Sequence, residues 1–375
     1  MANVSRTALF PFHKEMGGKM VPFAGYEMPL QYKLGIMKEH LFCRDSAALF
    51  DVSHMGQIIL RAKSQNKNEI AESLETLIPV DLVNLSENRQ RYGFLLNGDG
   101  GIIDDLMISN RGKHFAIVAN ASRKEVDLKL LQSKLGDKLK IEMLTDKSLV
   151  AIQGPKSEEI LSNVFDGISD MRFLDVKTFF YQGEAVEISR SGYTGEDGFE
   201  ISISNNLVQK FSQTILADPS VTLAGLGARD SLRLEGSLCL YGQDISEHIS
   251  PIEAGLAWAI QKSRREGGER EGNFPGSSNI LHQIKNGVKK SRIGLIPEGK
   301  APIRAGTKLF SDKNGSEYIG EVTSGGYSPS LSKPISMAYI LGDKDKGESF
   351  FAAVRGAFLP VRKVKMPFMN NNFKR

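Results

Sequence analysis

Tyr92-Gly93-Phe94-Leu95-Leu96-Asn97-Gly98-Asp99-Gly100-Gly101-Ile102-Ile103-Asp104-Asp105-Leu106-Met107-Ile108-Ser109 is two apolar runs around an Asn-Gly turn. The pattern predicts a β-hairpin, because Asn and Gly accept the positive φ that a tight turn between twisted strands needs. The second run carries two adjacent carboxylates. Side chains alternate between faces along a strand, so Asp104 and Asp105 point in opposite directions. Ile102, Leu106 and Ile108 share a face with Asp104, while Ile103 and Met107 share the other with Asp105. Both faces are apolar, and a carboxylate left there without a partner is costly. Either at least one aspartate serves something other than bulk water, or both are solvated at the end of the turn. The local sequence leaves both readings open.

Outward from the hairpin, residues 57–60 read as a strand, entered through Leu49-Phe50-Asp51-Val52-Ser53-His54-Met55-Gly56. Residues 115–120 read as another. Ser122 and Glu125 are then spaced as a capping box for a helix through Leu135. Strand, hairpin, strand and helix predict an α+β fold with antiparallel neighbours. Further on, residues 148–153 read as a strand and 157–165 as a short helix. The alternating segments 184–191 and 199–203 flank Gly192-Tyr193-Thr194-Gly195-Glu196-Asp197-Gly198. Lys262-Ser263-Arg264-Arg265-Glu266-Gly267-Gly268-Glu269-Arg270-Glu271-Gly272 is charged and glycine-rich, and is expected to be a mobile loop near a domain boundary. Beyond about residue 285 only strands and turns remain, at 293–296, 308–310, 318–322, 335–341 and 350–354. They predict a separate small β barrel or sandwich.

With 375 residues the chain exceeds one ordinary core. A net charge of +4 supplies no broad basic field, so a nucleic-acid partner is not expected. The two cysteines, Cys43 and Cys239, are far apart and suit a reducing compartment. No apolar run is long enough to span a bilayer, and the first 19 residues lack a signal-peptide core.

Several chemistries are disfavoured. Gly192, Gly195 and Gly198 are not followed by Lys-Ser/Thr, join strand to strand, and surround Glu196-Asp197, which repels phosphate. The histidines, His13, His40, His54, His114, His248 and His282, have no ligand-like spacing, so no metal is expected. There is no Gly-x-Ser-x-Gly elbow for a serine nucleophile. His54 reads as a structural hydrogen-bonder. Arg229 and Arg233 lie one helical turn apart, with a surface salt-bridge face toward Asp230 and Glu235 as the plain alternative. What survives is a set of polar residues in apolar strands, Asp104, Asp105, Asn120 and Glu200, with Arg229. Tyr92, Tyr193 and Trp258, the single tryptophan, accompany them. Carboxylates and aromatics without a metal or nucleophile suit a flat heterocycle rich in N–H donors.

Taken in order, Gly17-Gly18-Lys19-Met20-Val21-Pro22-Phe23-Ala24-Gly25, Phe50-Asp51-Val52-Ser53-His54-Met55, Gly100-Gly101-Ile102-Ile103-Asp104-Asp105, Gly192 to Glu200, Ala228-Arg229-Asp230-Ser231-Leu232-Arg233-Leu234-Glu235, Leu240-Tyr241-Gly242-Gln243-Asp244-Ile245, Thr323 to Leu331 and Lys365-Met366-Pro367-Phe368 resemble the T-protein family of the glycine cleavage system. These are tetrahydrofolate-dependent aminomethyltransferases, and the likeness covers nearly the whole chain. It implies three domains in a cloverleaf around a central folate channel, with a ferredoxin-like middle domain and a C-terminal small β barrel. We expect residues 1–283 to form the folate-binding region, as two interleaved α+β subdomains, and 284–375 the barrel.

The resemblance implies transfer of a one-carbon unit from the aminomethyl-lipoyl arm of an H-protein to tetrahydrofolate. The products are 5,10-methylenetetrahydrofolate, ammonia and the dihydrolipoyl carrier. The family's catalytic aspartate matches Asp105. Its pterin-binding glutamate matches Glu200, and its folate-contacting arginine matches Arg229. Tyr92, Asn120, Tyr193 and Trp258 match positions lining the folate cavity, and Met55 a neighbouring apolar wall. A family tyrosine near the C-terminus is Phe373 here, so its hydroxyl contact is missing. Lys289-Lys290-Ser291-Arg292 and Lys262-Ser263-Arg264-Arg265 are candidate docking charges for the carrier. No metal, nucleic-acid or membrane partner is expected, and the protein should be a monomer or weak oligomer. It would be cytoplasmic in a bacterium and lie in the mitochondrial matrix in a eukaryote. The alternatives are a folate-dependent demethylase of the same superfamily and a non-catalytic folate-binding relative.

Overall fold

A computed structural model describes residues 4–64, 66, 68–345 and 347–375. Its framework is three large sheets, beside a two-stranded ribbon of Lys19–Phe23 and Tyr26–Gln31. The predicted hairpin forms, with Arg89–Leu96 paired to Ile102–Asn110 and Phe94 opposite Asp105. It heads a five-stranded antiparallel sheet that continues through Phe115–Ala119, Gly56–Ala62 and Leu139–Met143. A second sheet orders Val176–Tyr181, Glu184–Ser189, Gly198–Ser204, Lys147–Gln153, Ala47–Asp51 and Val221–Leu223, with only the last pair parallel. Consecutive strands Ala47–Asp51 and Gly56–Ala62 belong to different sheets. The chain therefore crosses between them through Val52-Ser53-His54-Met55.

The C-terminal strands close a six-stranded barrel in the order Lys290–Pro297, Lys333–Leu341, Tyr318–Ser328, Lys308–Phe310, Ser349–Val354 and Ala357–Val364. The protein is thus a mixed α/β chain ending in a barrel. Ala357–Val364, which pairs with the first barrel strand, was not expected from the sequence. Its Pro360 and its Arg362-Lys363 pair obscure the alternation.

Each sheet has its own apolar core. Ile58, Phe94, Leu106 and Ile117 meet in the first, and Leu49, Ile152, Phe199 and Phe211 in the second. Leu295, Leu309, Ile340 and Val361 fill the barrel. Along Ile102–Asn110 the alternation is as expected: Ile102, Asp104, Leu106 and Ile108 are buried, while Ile103, Asp105 and Met107 are half-buried. The turn before it is held tightly. A Cβ on Gly101 would lie 1.9 Å from the Glu247 carbonyl oxygen, and the Ile102 N–H reaches the carbonyls of Ser246 and Ile249. Only glycine permits that approach.

Three local expectations are corrected. The helix after the third strand runs Lys124–Leu135, but it has no side-chain cap. Instead the N–H groups of Arg123 and Lys124 both donate to the Asn120 carbonyl, at 2.9 Å each. The helix expected to reach residue 165 is Ser157–Ser162, continued by turns. The charged stretch 262–272 is anchored rather than mobile. Arg264 is 2% exposed and donates to the carbonyls of Arg270 and Glu75, both at 2.7 Å. Arg270 pairs with Glu75 at 2.9 Å and Asp81 at 2.6 Å. Acidic residues from the first half of the chain tie the arginines down, which composition alone does not reveal. Arg264 is therefore not a free docking charge. Arg265, bound to the carbonyls of Ile260 and Ala257, is committed too, as is Arg292 to those of Ala254 and Ser237.

Candidate functional site

Asn120 follows the strand residue Ala119, which pairs with Leu106, so it arrives beside both aspartates. Its amide nitrogen donates to Asp105 Oδ1 at 2.7 Å and to Asp104 Oδ1 at 2.9 Å. Its backbone N–H donates to Asp104 Oδ2 at 3.0 Å. On the other side, from the neighbouring hairpin strand, the Tyr92 hydroxyl donates to Asp105 Oδ2 at 2.9 Å. Both oxygens of Asp105 are thus oriented by fixed donors. Burial, and next the charge of Asp104, push its carboxyl up to about 7, while Tyr92 and Asn120 hold it down. Burial and the Asp105 charge raise the Tyr92 phenol, so it remains a donor. Asp104, fully buried, is pushed up by burial and by Asp127.

A carboxyl that ionises near neutrality, between two fixed donors, can either hold a charge or take a proton. Neither aspartate is solvated at a turn end. Asp104 serves the interior, and Asp105 is half-buried.

The Tyr92 ring is edge-on to Phe94 at 5.1 Å and stacks on Trp258 at 5.7 Å, with 19° between the planes. Trp258 is 64% exposed, so it forms an outer shelf rather than an inner wall. A second group lies around helix Leu226–Glu235. The Arg229 guanidinium sits over the Tyr193 ring at 4.7 Å. Its Nη1 is buried without a hydrogen-bond partner among the described residues. Burial pulls its proton affinity down, and Glu200 acts against that. Glu200, on strand Gly198–Ser204, accepts from Ser191 Oγ at 2.8 Å through Oε2. The Tyr193 hydroxyl donates to the Cys239 carbonyl. Burial raises its phenol above the usual range, and Asp105 adds to the rise, which links the two groups electrostatically. Met55, on the crossover between the sheets, packs against the apolar cluster that includes Ala228 and Leu232 of the arginine helix, as does Val118 of strand Phe115–Ala119.

Two other expectations change. The His54 ring lies against Phe23 and Tyr26, and its Nδ1 has no partner among the described residues. It is held by packing rather than by the hydrogen bond expected of it, and burial pulls it down to about 4. Arg233 does bind Asp230, at 2.8 Å, but the rest of that face is internal. Arg233 is 1% exposed and binds Asp244 at 2.7 Å, while buried Glu235 binds Arg44, Ser328 and Ser330. Finally, Phe373 stacks on Phe173 at 4.2 Å.

Other polar residues went unmarked in the sequence. Tyr32 OH meets His13 Nδ1 at 2.8 Å, and His13 Nε2 meets Asp51 at 2.9 Å, a buried chain that fastens the N-terminal helix Phe10–Glu15 to the second sheet. Asp127 is another. Its position, in the first turn of helix Lys124–Leu135, gave no sign of burial.

The fold coincides with that of a known class. Residues 9–264 match the family model described as the GCVT N-terminal domain, and residues 290–370 match the glycine cleavage T-protein C-terminal barrel domain. The chain belongs to the glycine cleavage T-protein family of aminomethyltransferases. It is 41% identical to the mitochondrial aminomethyltransferase of Dictyostelium discoideum, over 99% of this chain and 94% of that one. It is 40% identical to that of Flaveria trinervia, over 99% and 91%. Its structure matches the glycine cleavage system aminomethyltransferase T of Bartonella henselae with a TM-score of 0.91 and 36% identity, covering 99% of this chain and 100% of that one.

Proposed function

We propose that Asp105 is the catalytic carboxylate of this aminomethyltransferase of the glycine cleavage system, and that the residues around it and Arg229 hold a folate. The chain is an enzyme of that system by family. The observation that carries the site reading is the pair of donors, Tyr92 and Asn120, fixing a half-buried carboxyl that ionises near pH 7.

The other residues have uncommitted groups of the right kind. The Arg229 Nη1 is a buried donor without a partner among the described residues, suited to a ligand oxygen. Among the described residues Glu200 accepts through one oxygen only, leaving the other for the paired N–H and amino donors of a pterin. Tyr193, Tyr92 and Trp258 offer faces to a flat ring, Met55 an apolar wall, and Asn120 the polar end.

When bound, tetrahydrofolate supplies the nucleophilic nitrogens that take over the carbon. The chain's own work is then positional and electrostatic. Asp105 holds negative charge beside the carbon where positive charge grows as ammonia departs. One of its carboxylate oxygens takes the proton that the attacking nitrogen loses. Glu200 and Arg229 fix the ring so that attack is in line, which supplies more of the rate than base strength does. The donor of the carbon is the aminomethyl-lipoyl arm of an H-protein, presented at the mouth of a central channel between three lobes. The middle lobe is ferredoxin-like, and the division from the barrel falls at residues 283/284. Lys262, Lys289 and Lys290 remain as docking charges, and the protein works in the cytoplasm of a bacterium or the matrix of a mitochondrion. The test is ammonia release from aminomethyl-loaded carrier with and without tetrahydrofolate. A rate indifferent to the folate overturns the reading.

A further inference from the structure

Trp258 sits in the short 3₁₀ turn Ala257–Ala259. Its neighbours Ala259 and Ile260 are buried, but the indole is 64% exposed. Burial therefore does little to fix the ring, and an exposed side chain keeps its freedom unless its backbone and a partner restrict it. A turn of three residues has poor hydrogen-bond geometry of its own. Yet the indole lies nearly parallel to Tyr92, with 19° between the planes. Something must hold the turn.

The segment that follows is fastened at several points. Gln261 Oε1 accepts from the Asp81 N–H at 2.7 Å, and Ser263 Oγ donates to Asp81 Oδ2 at 2.8 Å. Arg264 and Arg270 bind Glu75 and Asp81. These contacts hold the segment to helix Glu69–Glu75 and the turns after it. Arg265 does something different, because its side chain turns back along the chain. Its Nε donates to the Ile260 carbonyl and its Nη2 to the Ala257 carbonyl, both at 2.7 Å. Those two carbonyls bracket Trp258. The Ala257 carbonyl also takes the Ile260 N–H at 3.1 Å, so the turn is closed once by backbone and again by the guanidinium. A planar fork satisfies two acceptors at once, which an ammonium does not.

We propose that Arg265 is a positioning residue for folate capture: its guanidinium locks the turn Ala257–Ala259 and so holds the Trp258 indole parallel to Tyr92 as a face for the ligand. The inference rests on the reading that folate lies against Trp258. Tyr92 is fixed independently, by its bond to Asp105 and its edge contact with Phe94. Loosening Trp258 therefore weakens capture of the folate and leaves the reacting carboxyl in place.

Arg265→Ala removes both bonds without touching a residue assigned to the folate. In ammonia release from aminomethyl-loaded carrier, KM for tetrahydrofolate should rise about two- to tenfold, the worth of one held aromatic face. The value of kcat should stay within about twofold, because the chemistry is untouched. Trp258 is the single tryptophan, so its emission should at the same time lose anisotropy and become more open to acrylamide quenching. Arg265→Lys, which reaches one carbonyl only, should fall between, and it carries the same readouts if Arg265→Ala does not fold. In a Trp258→Ala background, Arg265→Ala should add nothing to KM.

A further rise of KM in that background overturns the positioning role, since a merely structural arginine acts whether or not the indole is there. Unchanged anisotropy in the Arg265 variants overturns the clamp, whatever KM does. A loosened indole with an unmoved KM overturns the part in capture. Trp258→Ala with the wild-type KM overturns instead the placing of folate on Trp258, and the emission of Arg265→Ala then still reports the clamp.

Discussion

Tyr92→Phe isolates one hydrogen bond at the reacting carboxyl. Phenylalanine keeps the ring against Trp258 and Phe94 and removes only the hydroxyl that donates to Asp105 Oδ2 at 2.9 Å. A hydrogen bond to a charged group contributes about 1.5–3 kcal/mol. At about 1.4 kcal/mol per unit, its loss raises the Asp105 pKa by roughly 1–2 units, because the donor favours the ionised form. Starting from about 7, the carboxyl would then titrate at about 8–9. At pH 7 the ionised fraction falls from roughly half to between about 1 and 10%, so kcat/KM falls by roughly 5- to 50-fold and recovers as the pH is raised. Ammonia release from aminomethyl-loaded carrier, measured across pH, reads this directly. Trp258 is the only tryptophan, so its emission reports whether the stack survives. A uniform loss at every pH, with the acid limb unmoved, would show that the hydroxyl serves the substrate and not Asp105.

Two further outcomes follow from neighbouring geometry. Glu200→Gln removes the charge expected to face the pterin and should weaken folate binding about tenfold or more, with a smaller effect on the rate at saturation; a Trp258 fluorescence titration with unchanged affinity would remove Glu200 from the site. Burial pushes Glu235 up, but His40, Ser328 and Arg44 outweigh it and hold the carboxyl at about 2. A folded value below the unfolded one means stability that is present above about pH 4.5 and lost as the pH falls toward 2, roughly 3 kcal/mol in all. Glu235→Gln should therefore unfold at lower urea than wild type at pH 7, with the gap narrowing as the pH falls below about 4.5 toward 2; a gap independent of pH contradicts the assignment.

Much of this was legible in the sequence where local pattern and tertiary environment agree. The Asn-Gly turn and the two-residue period drew the hairpin, and the strands of the tail drew all of the barrel but its last. Alternation also separated Asp104 from Asp105 correctly. It could not say what each met, because Asn120 and Asp127 arrive from other elements. The same limit explains stretch 262–272. Charge and glycine read as mobility, but Glu75 and Asp81, nearly two hundred residues earlier, bind its arginines. It explains Glu235 as well, whose helix looked surface-exposed until residues 328–330 of the barrel covered it. At the start of helix Lys124–Leu135 the capping box was a true local signal that lost to a competitor. The Asn120 carbonyl caps the chain while its side chain serves the aspartates.

Asp105→Asn is the most direct test of the catalytic assignment. Asparagine keeps the shape and removes both the charge and the ability to take a proton. Turnover of aminomethyl-loaded carrier with tetrahydrofolate should fall by about 100-fold or more, while folate affinity, read from Trp258, stays within a few-fold of wild type. Turnover close to wild type would contradict the role given to Asp105.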